Sequence, residues 1–182
     1  MSLGIGMNLA YRTDQVILHN LFFTDSKKNI MMEGSFTKVV YSDSFITTNG
    51  LSLYIPFTNT VCERKHNKTM LRFSTVANHG LVKDLICVEQ YILEMYRRNT
   101  KSDKMIVMTL QDHLLNGSVK IYRDKEHMRP IYIIKISGIW EDSGRIGLTY
   151  KFLEAGSREP TVKPPSGATV GSFAHFPLRP LP

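Results

Sequence analysis

The chain has 182 residues, 42% of them hydrophobic and 21% charged, enough for one domain with a real core and too few for two. That composition excludes a chain disordered throughout, and no apolar run is long enough for a spanning helix, so no membrane partner is expected. Lys and Arg outnumber Asp and Glu by 23 to 16, and the formal charge of +7 favours a polyanionic partner.

In chain order, residues 15–23 (QVILHNLFF) and 33–41 (EGSFTKVVY) are rich in β-branched and aromatic side chains and read as two strands. The segments SFITT and LSLYIPF flank Asn49-Gly50, a pair that tolerates the positive φ of a two-residue turn, so a hairpin is expected there. Pro56 marks the end or edge of its second arm. The polar TNTVCERKHNKT reads as a loop and TMLRFST as a short strand. From Gly80 to Asn99 the period becomes helical: Leu81, Leu85, Val88, Ile92 and Met95 form a stripe, widened by Leu93 and Tyr96. Arg97 and Arg98 suit its C-terminal end.

Strand signals resume at 105–110, 118–123, 130–140 and 146–154, joined by turns, and together read as a meander. Six of the eight prolines lie beyond Glu154, so residues 1–154 are expected to form the globular domain and 155–182 a basic, extended tail. Phe173 and Phe176 could anchor that tail on a neighbouring subunit of a homo-oligomer. Strands, one long helix, then strands again indicate a mainly β fold: an antiparallel barrel of the oligonucleotide-binding (OB) type, or a curved sheet, with a β-sandwich as the other possibility.

Alternation puts Tyr132, Ile134, Ile136, Gly138 and Trp140 on one face of their strand, with Ile131, Ile133, Lys135, Ser137 and Ile139 on the other. On the next strand Ile146, Leu148, Tyr150 and Phe152 oppose Gly147, Thr149, Lys151 and Leu153, leaving one face for the core and one for cations. The segments Ile136-Ser137-Gly138-Ile139-Trp140 and Gly147-Leu148-Thr149-Tyr150-Lys151-Phe152 resemble the C-terminal hairpin of small single-stranded-DNA-binding proteins of viruses and mobile elements. The resemblance covers roughly residues 105–154. It implies an OB-like fold, multimeric binding of single-stranded DNA, and a role in viral replication or recombination. Tails in that group are often acidic; here Arg158, Lys163 and Arg179 stand against Glu159 alone.

Sequence-tolerant binding of single strands needs aromatic faces for bases and nearby cations for phosphates. Lys38 with Tyr41, Arg72 with Phe73, Lys120 with Tyr122 and Arg123, Lys135 with Trp140, Lys151, and Arg145 in the last turn supply that combination. Tyr122 is the leading stacking candidate, because Val119 and Ile121 provide the buried side of its strand. The competing reading makes the aromatics core and the cations a solvated opposite face.

Cys62, His66, His79 and Cys87 lack the paired short spacings of zinc sites, and Cys87 among Ile86 and Val88 reads as a buried thiol, so neither metal nor cofactor is expected. Both cysteines are expected free, in a reducing intracellular compartment, since MSLGIGMNLAYRTDQ has no secretory leader pattern. No G-x-S-x-G, GxxxxGK[ST], HExxH or dinucleotide glycine pattern occurs, and Glu141-Asp142-Ser143-Gly144-Arg145 is explained as a turn, so the expected function is binding rather than catalysis. The alternative function is a viral structural or assembly protein whose tail reaches a neighbour.

Overall fold

Along residues 10–28, 33–65, 67–123 and 127–156, which the computed structural model describes, the chain runs through eleven strands and two α-helices. Two 3-10 turns, Thr13–Gln15 and Leu18–Asn20, precede β1 (Leu21–Phe23), β2 (Lys27–Lys28), β3 (Ser35–Ser42), β4 (Thr47–Asn49) and β5 (Leu51–Ile55). The hairpin of β6 (Thr60–Lys65) and β7 (Lys68–Phe73) leads into α1 (His79–Thr100). Then come β8 (Met105–Val107), α2 (Thr109–Leu115), β9 (Ser118–Tyr122), β10 (Pro130–Glu141) and β11 (Arg145–Gly156).

The strands form one open sheet in the order β1-β3-β10-β11-β9-β7-β6, with β2 and β4 also paired to β3, β5 to β10 and β8 to β11. The expected barrel is corrected: the path ends at β1 on one side and β6 on the other and does not close. Nor is the sheet purely antiparallel, because β8 and β9 both run parallel to β11. The cause is α2, which the sequence reading missed. Residues 105–110 were expected as one strand, yet β8 stops at Val107 and the chain turns into a helix that carries it across to β9.

The Asn49-Gly50 hairpin is also overturned. β4 pairs with β3 and β5 pairs with β10, so Gly50, at φ +89°, is a corner where the chain leaves one partner for another. A Cβ at Gly50 would sit 2.4 Å from the Ile136 carbonyl oxygen. The hairpin that does form there joins β3 to β4, and the Asp43 carboxylate holds its turn by accepting the Phe45 and Ile46 amides at 2.9 Å each. Residues 58–69, read as loop, are half β6 and run into the start of β7, with Asn67 at φ +62° in the turn between them. Of residues 15–23 only Leu21–Phe23 is strand.

One face of the sheet is the core. Val39, Leu53, Leu71, Ile121, Ile134, Ile139, Ile146 and Phe152 are buried there with Leu85, Ile92 and Leu93 of α1. The helix takes nearly the span its periodicity predicts, closing at Lys101 in the left-handed conformation with Arg97 and Arg98 in its last turn. Glu89, fully buried on α1, accepts the amides of Leu110 at 2.9 Å and Gln111 at 2.7 Å, so one helix caps the start of the other. No helix among the described residues is long and apolar enough to cross a membrane. β11 continues to Gly156, two residues past the expected domain boundary; residues 157–182, with Phe173 and Phe176, lie outside the described residues.

Candidate functional site

The sheet face turned away from α1 is the one that displays charge. In the β10–β11 register Lys135 lies directly beside Lys151, and the parallel pairing of Ile121 with Phe152 brings Lys120 alongside Lys151 from the next strand. All three lysines are exposed. Tyr122, with 43% of its surface accessible, joins them: Lys120 Nζ is 4.4 Å and Lys151 Nζ 5.5 Å from its ring centroid. Lys120 at the phenol, aided by the charges of Lys151 and Lys68, holds the Tyr122 hydroxyl below its usual pKa. Like charges set side by side on neighbouring strands are a cost in the absence of an anion.

Trp140 belongs to this face as well, which corrects the alternation reading. Ile136 pairs with Tyr150 and Gly138 with Thr149, so Ser137 is an extra residue and every side chain beyond it changes face. Ile139 is therefore buried, while Trp140, half-buried, lies on the lysine side over Gly147. A Cβ at Gly147 would meet the indole Cζ2, Cε2 and Nε1 at 2.4, 2.5 and 2.7 Å, so only glycine leaves the ring that position.

Two cavities meet at Trp140 and Thr149. One, of about 340 Å³, opens where β9 parts from β11 and is lined by Lys120, Tyr122, Lys151 and His113 among others. The His113 Nδ1 lies 2.7 Å from the Tyr150 hydroxyl, whose pKa is raised by burial and by the charges of Glu89 and Asp112. The other, of about 480 Å³, is bordered by Glu33, Phe36, Asp142 and Arg145.

Several expected site residues are elsewhere. Tyr41, 1% exposed, and Phe73, 7% exposed and stacked on Phe57 at 4.1 Å, are core side chains that no base can reach. Arg123 approaches the buried Glu154 at 3.7 Å and offsets its charge. Arg72 is exposed but bound to Glu63 at 3.1 Å. Lys38 is exposed and in register with Gly138, one strand from the lysine row. Arg145, by contrast, does border the second cavity, where it is fixed to Asp142 in the last turn.

Two residues of the face were missed. Lys68 was hidden in the segment read as loop, and Phe36 could have been found by alternation along 35–42, opposite the buried Thr37 and Val39. Of the cysteine and histidine set, Cys62 and Cys87 are free and exposed, against the buried thiol expected for Cys87, and His66 lies outside the described residues. Among the described residues no three His, Cys, Asp or Glu side chains gather as metal ligands would. No protein-family model matches the chain, and no curated protein or solved structure matches it either.

Proposed function

We propose that the protein binds single-stranded nucleic acid, DNA foremost, along the sheet face centred on Tyr122, Lys151 and Trp140. The observation that carries this reading is Tyr122, a ring 43% exposed with the ammonium groups of Lys120 and Lys151 close to it. A half-exposed tyrosine flanked by cations offers a face for one base and charges for the phosphates on either side, the arrangement that sequence-tolerant binding of single strands requires. The adjacent Lys135 extends the cationic row, and Trp140 offers a second ring. The resemblance of residues 105–154 to viral and mobile-element DNA-binding proteins points to the same polymer. Their closed OB barrel is not part of the proposal; what is shared is the use of an aromatic and cationic sheet face. In the same reading several copies coat one strand.

The test is a titration of Trp140 emission, the only tryptophan signal, with oligothymidine at several salt concentrations. Affinity is expected to fall steeply and linearly in log salt, by about 0.7 per phosphate neutralised. An oligomer whose size is indifferent to high salt and which takes up no oligonucleotide would overturn the reading in favour of an assembly protomer.

A further inference from the structure

The cavity beside Phe36 is built differently from the lysine-lined one. Its wall is aromatic on a glycine base: Trp140 lies over Gly147, and its cross-strand neighbour Phe36 lies over Gly138, where a Cβ would come within 2.6 Å of Phe36 Cζ. Its rim is polar and mixed in sign. Arg145 is fixed there, with Nε and Nη2 donating to Asp142 Oδ2 at 3.0 and 2.8 Å. Asp142 is itself fully used, since its Oδ1 accepts the amides of Gly144 at 2.9 Å and Arg145 at 2.8 Å. Glu33 is the contrast: exposed, on the same rim, and without a hydrogen bond or ion pair to another described residue.

We propose that this cavity receives one unpaired guanine of the bound strand, an inference that rests on the single-strand reading above. Aromatic walls and a space of about 480 Å³ suit a nucleobase. The rim then selects among bases. A carboxylate can only accept, so the base must donate to Glu33. Guanine presents two donors side by side, its ring N1–H and exocyclic N2 amine, which match the two oxygens of one carboxylate. Its other edge carries O6 and N7, the acceptors that arginine takes in the commonest specific base contact, and Arg145 stands on the same rim. Thymine offers a single imide N–H between two carbonyl oxygens that repel a carboxylate. Adenine and cytosine each offer one amine beside a ring acceptor.

The experiment titrates the full chain with an oligothymidine and with the same oligomer carrying guanine or hypoxanthine at one central position, read by Trp140 emission. Guanine is expected to tighten binding about fivefold or more, hypoxanthine, which lacks the N2 amine, to lose much of that gain, and Glu33→Gln to abolish the guanine preference. Glu33→Gln is expected to keep the melting temperature, because Glu33 is exposed, and to bind oligothymidine at least as tightly as the unaltered chain, because the carboxylate that repels thymine is gone. Equal affinity for the thymine and guanine oligomers overturns this inference and leaves the single-strand reading standing. A preference that survives in Glu33→Gln overturns it as well, and a chain that binds none of the oligomers removes both.

Discussion

Tyr122 is the residue at which the two competing readings of the sequence separate. Its strand alternates cleanly, with Val119 at 1% and Ile121 at 3% exposure on the core side, so the ring contributes little to the interior and its loss is expected to leave the fold intact. Tyr122→Ala should weaken binding of single strands about five- to more than a hundredfold, the range of roughly 1–3 kcal/mol that one stacked base is worth, and Tyr122→Phe should restore most of it. Normal binding by a folded Tyr122→Ala chain would place the stacking surface elsewhere. Glu89 behaves in the opposite way, as a charge the sequence offered no reason to bury. Burial pushes its carboxyl up, the Leu110 and Gln111 amides pull it back in part, and Asp112 adds to the rise. Because the folded chain holds that proton more tightly than the unfolded one, this group makes stability fall as pH rises from the ordinary glutamate range through the raised value. Glu89→Gln should flatten that part of the profile in urea melts between about pH 4 and pH 8, whereas Glu89→Ala should cost about 2 kcal/mol or more, having stranded two amides at the start of α2.

At the scale of elements, what could be read in the sequence was local, and what could not was partnership. The periodicity of Leu81, Leu85, Val88 and Ile92 fixed α1 almost to the residue, since a long amphipathic stripe has one way to bury itself. Asn49-Gly50 misled because a glycine with positive φ serves a corner as readily as a hairpin, and only the pairing of β5 with β10 tells them apart. Trp140 was assigned to the wrong face because a bulge leaves almost no local signature: Ser137 is an unremarkable strand residue, and counting by twos past it reverses every side chain. The β3–β4 turn offers a test of its own. Hydrogen bonds from the Phe45 and Ile46 amides hold the Asp43 carboxyl below the usual range, so Asp43→Ala should raise the exchange rate of those two amides, and Asp43→Asn, which keeps an acceptor, should raise it less. Gly147→Ala would force a methyl to within 2.4 Å of the indole. A displaced Trp140 with altered emission is expected, together with a stability loss of about 1–3 kcal/mol on denaturant titration.

At the scale of the whole molecule, the two faces of the sheet treat charge differently. On the core side Glu141 is half-buried; burial opposes its charge, but the Lys104 ammonium at 2.6 Å and the Tyr96 hydroxyl at 2.7 Å hold it below the usual carboxyl range. The opposite side carries Lys120, Lys135 and Lys151 in one row. Replacing all three with Glu is expected to weaken binding evenly across base sequences and to reduce the slope of log affinity against log salt by about 2, three phosphate contacts at about 0.7 each. An unchanged slope would remove this face from the binding surface.

The order of the sheet also sets a timetable. β10 and β11, the last described strands to leave the ribosome, occupy its middle: β3 and β5 attach on one side of the pair, β8 and β9 on the other. Until Gly156 has been synthesised and has emerged, the two flanks have no common strand to join, and the apolar residues of α1 have no complete surface to cover. The chain must therefore wait, largely unassembled, for its final hairpin and then fold through contacts distant in sequence, which is slow. Nascent chains arrested before residue 130 should remain sensitive to protease throughout, and resistance should arrive in a single step once the hairpin clears the exit tunnel.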